Sequence, residues 1–149
     1  ATIIQTGNSV EGEATGDQFG SSVSISANGM TLAVGGYRND GIGSNSGHVR
    51  IFDLNSQNKW IQIGDIDGSS VGDNFGTSVS LSNNGNRLAV SSPFNDNDNG
   101  TNAGCARIFE SNGSDWIQIG SDILGLAADD QLRQVALSGD GNTLAVSMP

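Results

Sequence analysis

The sequence predicts an all-β chain made of the antiparallel four-stranded blades of a β-propeller, about two full blades plus parts of a third. Three observations carry this. GDQFGSSVSISANGMTLAVGG from Gly16 returns as GDNFGTSVSLSNNGNRLAVSS from Gly72, and in eroded form as DDQLRQVALSGDGNTLAVSM from Asp129. Each copy holds short alternating or apolar runs divided by turn residues, which is the pattern of strands. No stretch sustains the i, i+3, i+4, i+7 apolar spacing of a helix, so the expected helix content is under about 10%.

The elements follow in order. Ile3 to Thr6 aligns with the outer strand of a blade, and residues 1–15 read as the outer strand and crossover of a split blade. Residues 16–71 form the first repeat. Its inner strand is Ser22 to Ser26, with Val23 and Ile25 on one face, and Ala27-Asn28-Gly29 supplies a tight turn because Asn-Gly readily takes positive φ. Thr31 to Val34 makes an apolar second strand. A polar loop, Arg38 to Ser46, leads to a third strand at His48 to Asp53, and Trp60 to Ile63 makes the fourth before Gly64 to Gly72 crosses over. Residues 72–128 repeat this scheme, and residues 129–149 hold a truncated third copy ending after its second strand. The total is about eleven strands, too few to close a ring, since propellers have at least about four blades. The chain therefore reads as a segment of a larger propeller, with both terminal strands packing on further blades of the same polypeptide or on neighbouring subunits.

The repeated elements resemble FG-GAP repeats, the units of integrin-α-type propellers. Phe19-Gly20 and Phe75-Gly76 stand at the FG position, and Val34-Gly35-Gly36, Val90-Ser91-Ser92-Pro93 and Val146-Ser147-Met148-Pro149 at the GAP position. Asn39-Asp40, Asn95-Asp96, Gly47 to Arg50 and the two WIQIG segments are similar to repeats of secreted or surface proteins of marine bacteria and algae. In the third copy Leu132-Arg133 replaces FG, which puts its turn geometry in question. The resemblance implies an extracellular or cell-surface protein with a binding, adhesion or structural role, sometimes holding calcium in a blade loop.

Composition narrows the function classes. Sixteen Asp or Glu against six Lys or Arg give a formal charge of −10. Such a surface repels phosphate backbones and offers nothing basic to an anionic membrane, so neither nucleic acid nor membrane insertion is expected. The single cysteine, Cys105, excludes an internal disulfide framework.

Several residues are candidates for chemistry. Asn95, Asn97, Asp98 and Asn99 fit the head of a calcium loop, since alternate oxygen ligands and a closing glycine can wrap a hard cation. They equally suit a turn whose Asn and Asp side chains bond their own backbone. Ala103 stands where integrin-type loops carry a further acid, and Asn39 to Asn45 offers fewer ligands. Asn99 and Asn112 lie in glycosylation sequons, usable only in a eukaryotic secretory pathway. Asp17 and Asp73 recur with the repeat and read as caps of the blade crossover. His48 and Cys105 align to one position in successive repeats, which sets them too far apart for a catalytic dyad. Arg50 and Arg107 are expected to pair with acids across the sheet. Trp60 and Trp116 read as packing between blades, with sugar stacking as the alternative. Together these predict a non-enzymatic propeller segment with a protein or glycan ligand; the alternatives are a lectin and, less favoured, a polysaccharide hydrolase using Asp96 and Asp98. The latter two acids share one loop and lack the opposed placement a glycosidase needs.

Overall fold

The computed structural model describes residues 2–149. Ten strands are found there: β1 (Phe19–Ile25), β2 (Thr31–Gly36), β3 (His48–Leu54), β4 (Trp60–Asp67), β5 (Val79–Leu81), β6 (Arg87–Ser92), β7 (Cys105–Ser111), β8 (Trp116–Leu124), β9 (Gln134–Leu137) and β10 (Leu144–Ser147). They form two four-stranded antiparallel meanders, β1 to β4 and β5 to β8, followed by the hairpin β9–β10. The described residues contain no helix. This is the blade architecture the repeat implied.

Equivalent turns close with equivalent chemistry. Ser26, Ser82 and Ser138 accept a hydrogen bond through their carbonyl oxygens from Gly29, Gly85 and Gly141 at 2.9, 3.0 and 2.8 Å. Those glycines have φ of 72, 73 and 73°, a region that a Cβ disfavours. The turn of the third copy is also preserved. Leu132 fills the place of Phe75: the N–H of each donates to the end of the preceding β2–β3-type loop, Phe75 to Ser46 at 3.0 Å and Leu132 to Ala103 at 3.1 Å.

Two differences from the expected strands have clear causes. Residues 3–6 form no strand, so the total is ten rather than about eleven. An outer strand is hydrogen-bonded by the third strand of its own blade, and the chain supplies no such strand for this segment. The segment nevertheless lies along blade one: Trp60 sits over Gly7 as Trp116 sits over Gly64, each too close for a Cβ there. The second difference is that β4 runs through Gly64 to Asp67 instead of stopping at Ile63. The register slips between Ile51↔Gly64 and Phe52↔Gln62, so a bulge carries the strand past the glycine.

The core lies between blades. Ala33, Val49 and Ile51 of the first pack on Phe75, Val79, Leu81, Leu88, Val90 and Phe109 of the second. Ala89 and Ala106 pack on Leu132 and Val135 in the same way. Burial of this apolar surface, not hydrogen bonding within a blade, joins one blade to the next.

Candidate functional site

The inner strands carry the features that bear most directly on assembly. In β5, Val79 and Leu81 are each 7% exposed because they rest on blade one. Their counterparts in β1, Val23 and Ile25, are 63% and 56% exposed. At the other end Ala33 and Ala89 are fully buried by the following blade, whereas Ala145 is exposed. The two outward faces of the stack are thus copies of faces that are buried inside it.

Serine hydroxyls cross the blade interfaces with the period of the repeat. The N–H of Leu81 donates to Ser24 Oγ at 2.9 Å, and that of Leu137 donates to Ser80 Oγ at 2.9 Å. Val135 N–H likewise donates to Ser78 Oγ at 3.3 Å. The serines that alternate with Val23 and Ile25, and their counterparts in β5, are therefore acceptors for the neighbouring strand's backbone. Ala136 takes the position of Ser24 and Ser80 in the third copy, so β9 offers no such oxygen there.

At the loop end, Asp17 and Asp73 are buried braces. Asn39 donates through Nδ2 to Asp17 at 3.0 Å, and Asn95 to Asp73 at 2.8 Å. Burial pushes the Asp73 carboxyl up, against the pull of the Asn95 hydrogen bond. Asp40 and Asp96 each accept a backbone N–H later in their loop, from Asn45 at 2.7 Å and Asn102 at 2.8 Å.

The candidate calcium residues are engaged as follows. Asn95 is buried on Asp73; Asn97 accepts the N–H of Asn99 at 2.9 Å and donates to the Gly104 carbonyl at 3.0 Å. Asn99 donates to the Gly125 carbonyl at 2.7 Å, and Asp98 is exposed. The three asparagine amides thus bind three separate segments. The sequon nitrogen of Asn99 is the atom in that bond, while Asn112 is exposed in the β7–β8 turn, where its Oδ1 accepts the N–H groups of Ser114 and Asp115.

Trp60 and Trp116 are half-buried between outer strands. Arg50 pairs with Asp65 at 3.2 Å and Arg107 with Asp122 at 2.9 Å, the same cross-strand pair in both blades. Cys105 is buried, and desolvation pushes its thiol up to about 11.

One constellation escaped the sequence. His48 stands opposite Asp67 and Arg50 opposite Asp65, so all four project from one face of the β3–β4 ladder. Ligand atoms of His48, Asp65 and Asp67 lie within 4.8 Å of one another. His48 Nδ1 is 3.6 Å from Asp65 and 4.0 Å from Glu13, and Glu13 also pairs with Arg50. The available signal was the alternation Asp65-Ile66-Asp67, which reads as strand only once the chain is seen to bulge at Ile63 and continue through Gly64.

A family model described as the FG-GAP repeat matches residues 11–52 and 63–109. No curated protein matches the chain. Among solved structures, hydrazine synthase of Kuenenia stuttgartiensis superposes with a TM-score of 0.52 at 16% identity, over 84% of this chain and 28% of that one. The periplasmic gluconolactonase of Pseudomonas aeruginosa gives 0.52 at 15% identity, over 85% of this chain and 36% of that one. The chain thus spans 28% and 36% of those structures, and these likenesses show the propeller fold alone. The chain belongs to the FG-GAP repeat family.

Proposed function

We propose that this FG-GAP propeller segment is a non-enzymatic element of an extracellular or cell-surface protein, serving adhesion, protein–protein interaction or the build of a surface assembly. Its two open faces take further blades, from the same polypeptide or from neighbouring subunits. The observation that carries this reading is the contrast between Val23 and Ile25, largely exposed, and Val79 and Leu81, buried at the equivalent position. Covering Val23 and Ile25 to that extent buries about half of each side chain and would stabilise the assembly by roughly 1 kcal/mol per side chain.

Side-chain chemistry supports the non-enzymatic part. Desolvation raises the buried Cys105 thiol to about 11, which keeps it protonated near neutral pH, and holds the buried His48 below its ordinary value. A protein or glycan ligand would meet the loop end, where Asp40, Asp96 and Asp98 are exposed. The lectin alternative has less support, because each tryptophan is packed over a glycine, Gly7 of the N-terminal segment or Gly64 of β4, instead of presenting an open ring.

Sedimentation of the wild-type protein and of the Val23→Asp/Ile25→Asp double variant tests the assembly reading. Closed rings or oligomers in the wild type, loosened or dissociated in the variant, are expected. A monodisperse monomer with Val23 and Ile25 accessible to solvent would refute it. Turnover of polysaccharide that disappears in Asp96→Asn would refute the non-enzymatic assignment.

A further inference from the structure

The His48 cluster is uneven in its charge balance. Apart from the brace Asp17, which recurs as Asp73 in blade two, three acids stand beside the buried imidazole: Glu13 and Asp65, which share the Arg50 guanidinium, and Asp67, so two negative charges are left uncompensated. Both ring nitrogens of His48 lack a hydrogen-bond partner although the side chain is only 1% exposed. A buried polar atom left unpaired costs about 1–3 kcal/mol, so such groups ordinarily have a partner that explains them. Nε2 is shut in against the Gly36 backbone, whereas Nδ1 faces the carboxylates.

The second blade serves as an internal control. Arg107 and Asp122 reproduce the Arg50–Asp65 pair, so that pair belongs to blade construction. The remaining members change together. Cys105 replaces His48, Leu124 replaces Asp67 as its cross-strand partner, and Ser69 replaces Glu13 as the side chain that meets the arginine. Apart from Asp73, the counterpart of Asp17, blade two is therefore balanced by one ion pair, and its position equivalent to Asp67 is apolar. Blade one keeps the same scaffold and adds an imidazole and two acids.

We propose that His48 Nδ1 and the carboxylates of Asp65 and Asp67 form a binding site for one divalent transition-metal ion of the zinc type, with Glu13 at its margin. An imidazole with carboxylates suits such an ion better than calcium, which prefers six to eight oxygens. One divalent cation cancels the two excess charges and gives Nδ1 its missing partner. Arg50 occupies one oxygen each of Asp65 and Glu13 and so holds these carboxylates in place; the other oxygen of Asp65 faces His48, while that of Glu13 also accepts from Asn39 Nδ2 at 3.1 Å, which keeps Glu13 at the margin. The strand pairing His48↔Asp67 preforms the site on two adjacent strands. This assignment is independent of whether the open faces bind further blades.

His48 is the only histidine, which makes the experiment direct. The purified protein, stripped with chelator, is titrated with Zn²⁺ while the imidazole nitrogens are followed by ¹⁵N NMR and binding by calorimetry. One equivalent should bind and displace the Nδ1 resonance. Asp67→Leu, which installs the residue found in blade two, should weaken binding by at least about tenfold, the smallest effect typical even of outer-shell partners. Asp140→Asn, exposed in the β9–β10 turn of the third copy, should leave it unchanged. An unmoved His48 resonance in the wild type, or equal affinity in Asp67→Leu, would show only adventitious binding to an acidic surface and overturn the proposal.

Discussion

Replacing Phe75 tests whether the interface between blades is the source of stability. This ring is 1% exposed and meets Phe109 edge-on at 6.0 Å between centroids. Its backbone also pairs with the end of the preceding loop at Ser46 and Gly47. Phe75→Ala removes a large buried side chain at the centre of the first interface and should cost about 3–5 kcal/mol. The third copy indicates how much of this depends on shape, since Leu132 occupies the same place and is fully buried. Phe75→Leu should therefore lose chiefly the aromatic pair, about 0.5–1.5 kcal/mol, plus a small packing change. At roughly 2–4 °C per kcal/mol for a chain of this size, the Ala variant should melt roughly 6–20 °C lower and the Leu variant only a few degrees lower. Denaturant titration and calorimetry on the two variants measure the gap directly. Equal losses in both, or no loss in Phe75→Ala, would mean that the interface is not what holds the blades together.

Gly47→Ala should be severely destabilising, visible as lost soluble yield, because its φ is 78° and a Cβ would overlap the Phe75 backbone. Ser24→Ala removes the oxygen that accepts the Leu81 N–H and should cost about 1–3 kcal/mol in denaturant titration, unless water takes its place. Cys105 gives a pH dependence of definite sign: its thiol is raised from 9.0 to about 11 in the fold, so above pH 9 the unfolded chain loses the proton first. Stability should fall between pH 9 and about 11 by roughly 2–3 kcal/mol and then level off, a component absent from Cys105→Ala in pH-dependent unfolding.

Much of this molecule was legible because a repeat states its own construction several times. Asp17 with Asp73, Arg50 with Arg107 and Trp60 with Trp116 each recur, and in the structure each pair plays one role twice: bracing a loop asparagine, pairing across the sheet, and packing over a glycine. Period-two alternation located the first-blade strands to within a few residues, since side-chain direction in a strand is a local property. The candidate calcium loop was recognisable as an Asx-rich loop, but its spacing did not reveal that Asn95, Asn97 and Asn99 bond to Asp73, Gly104 and Gly125.

The sequence by itself determined the repeat period, the strand order within a blade and the turns at Gly29, Gly85 and Gly141, all of which rest on local periodicity and backbone preference. Tertiary structure alone decided whether Ile3 to Thr6 would be a strand, because a strand exists only where another supplies its hydrogen bonds. It also decided that a bulge at Ile63 would carry β4 past Gly64, bringing Asp65 and Asp67 beside His48, and that Ser24 would serve Leu81 of the next blade. Each of those outcomes depends on what lies opposite a residue across a sheet or an interface, and no window of neighbouring residues carries that information.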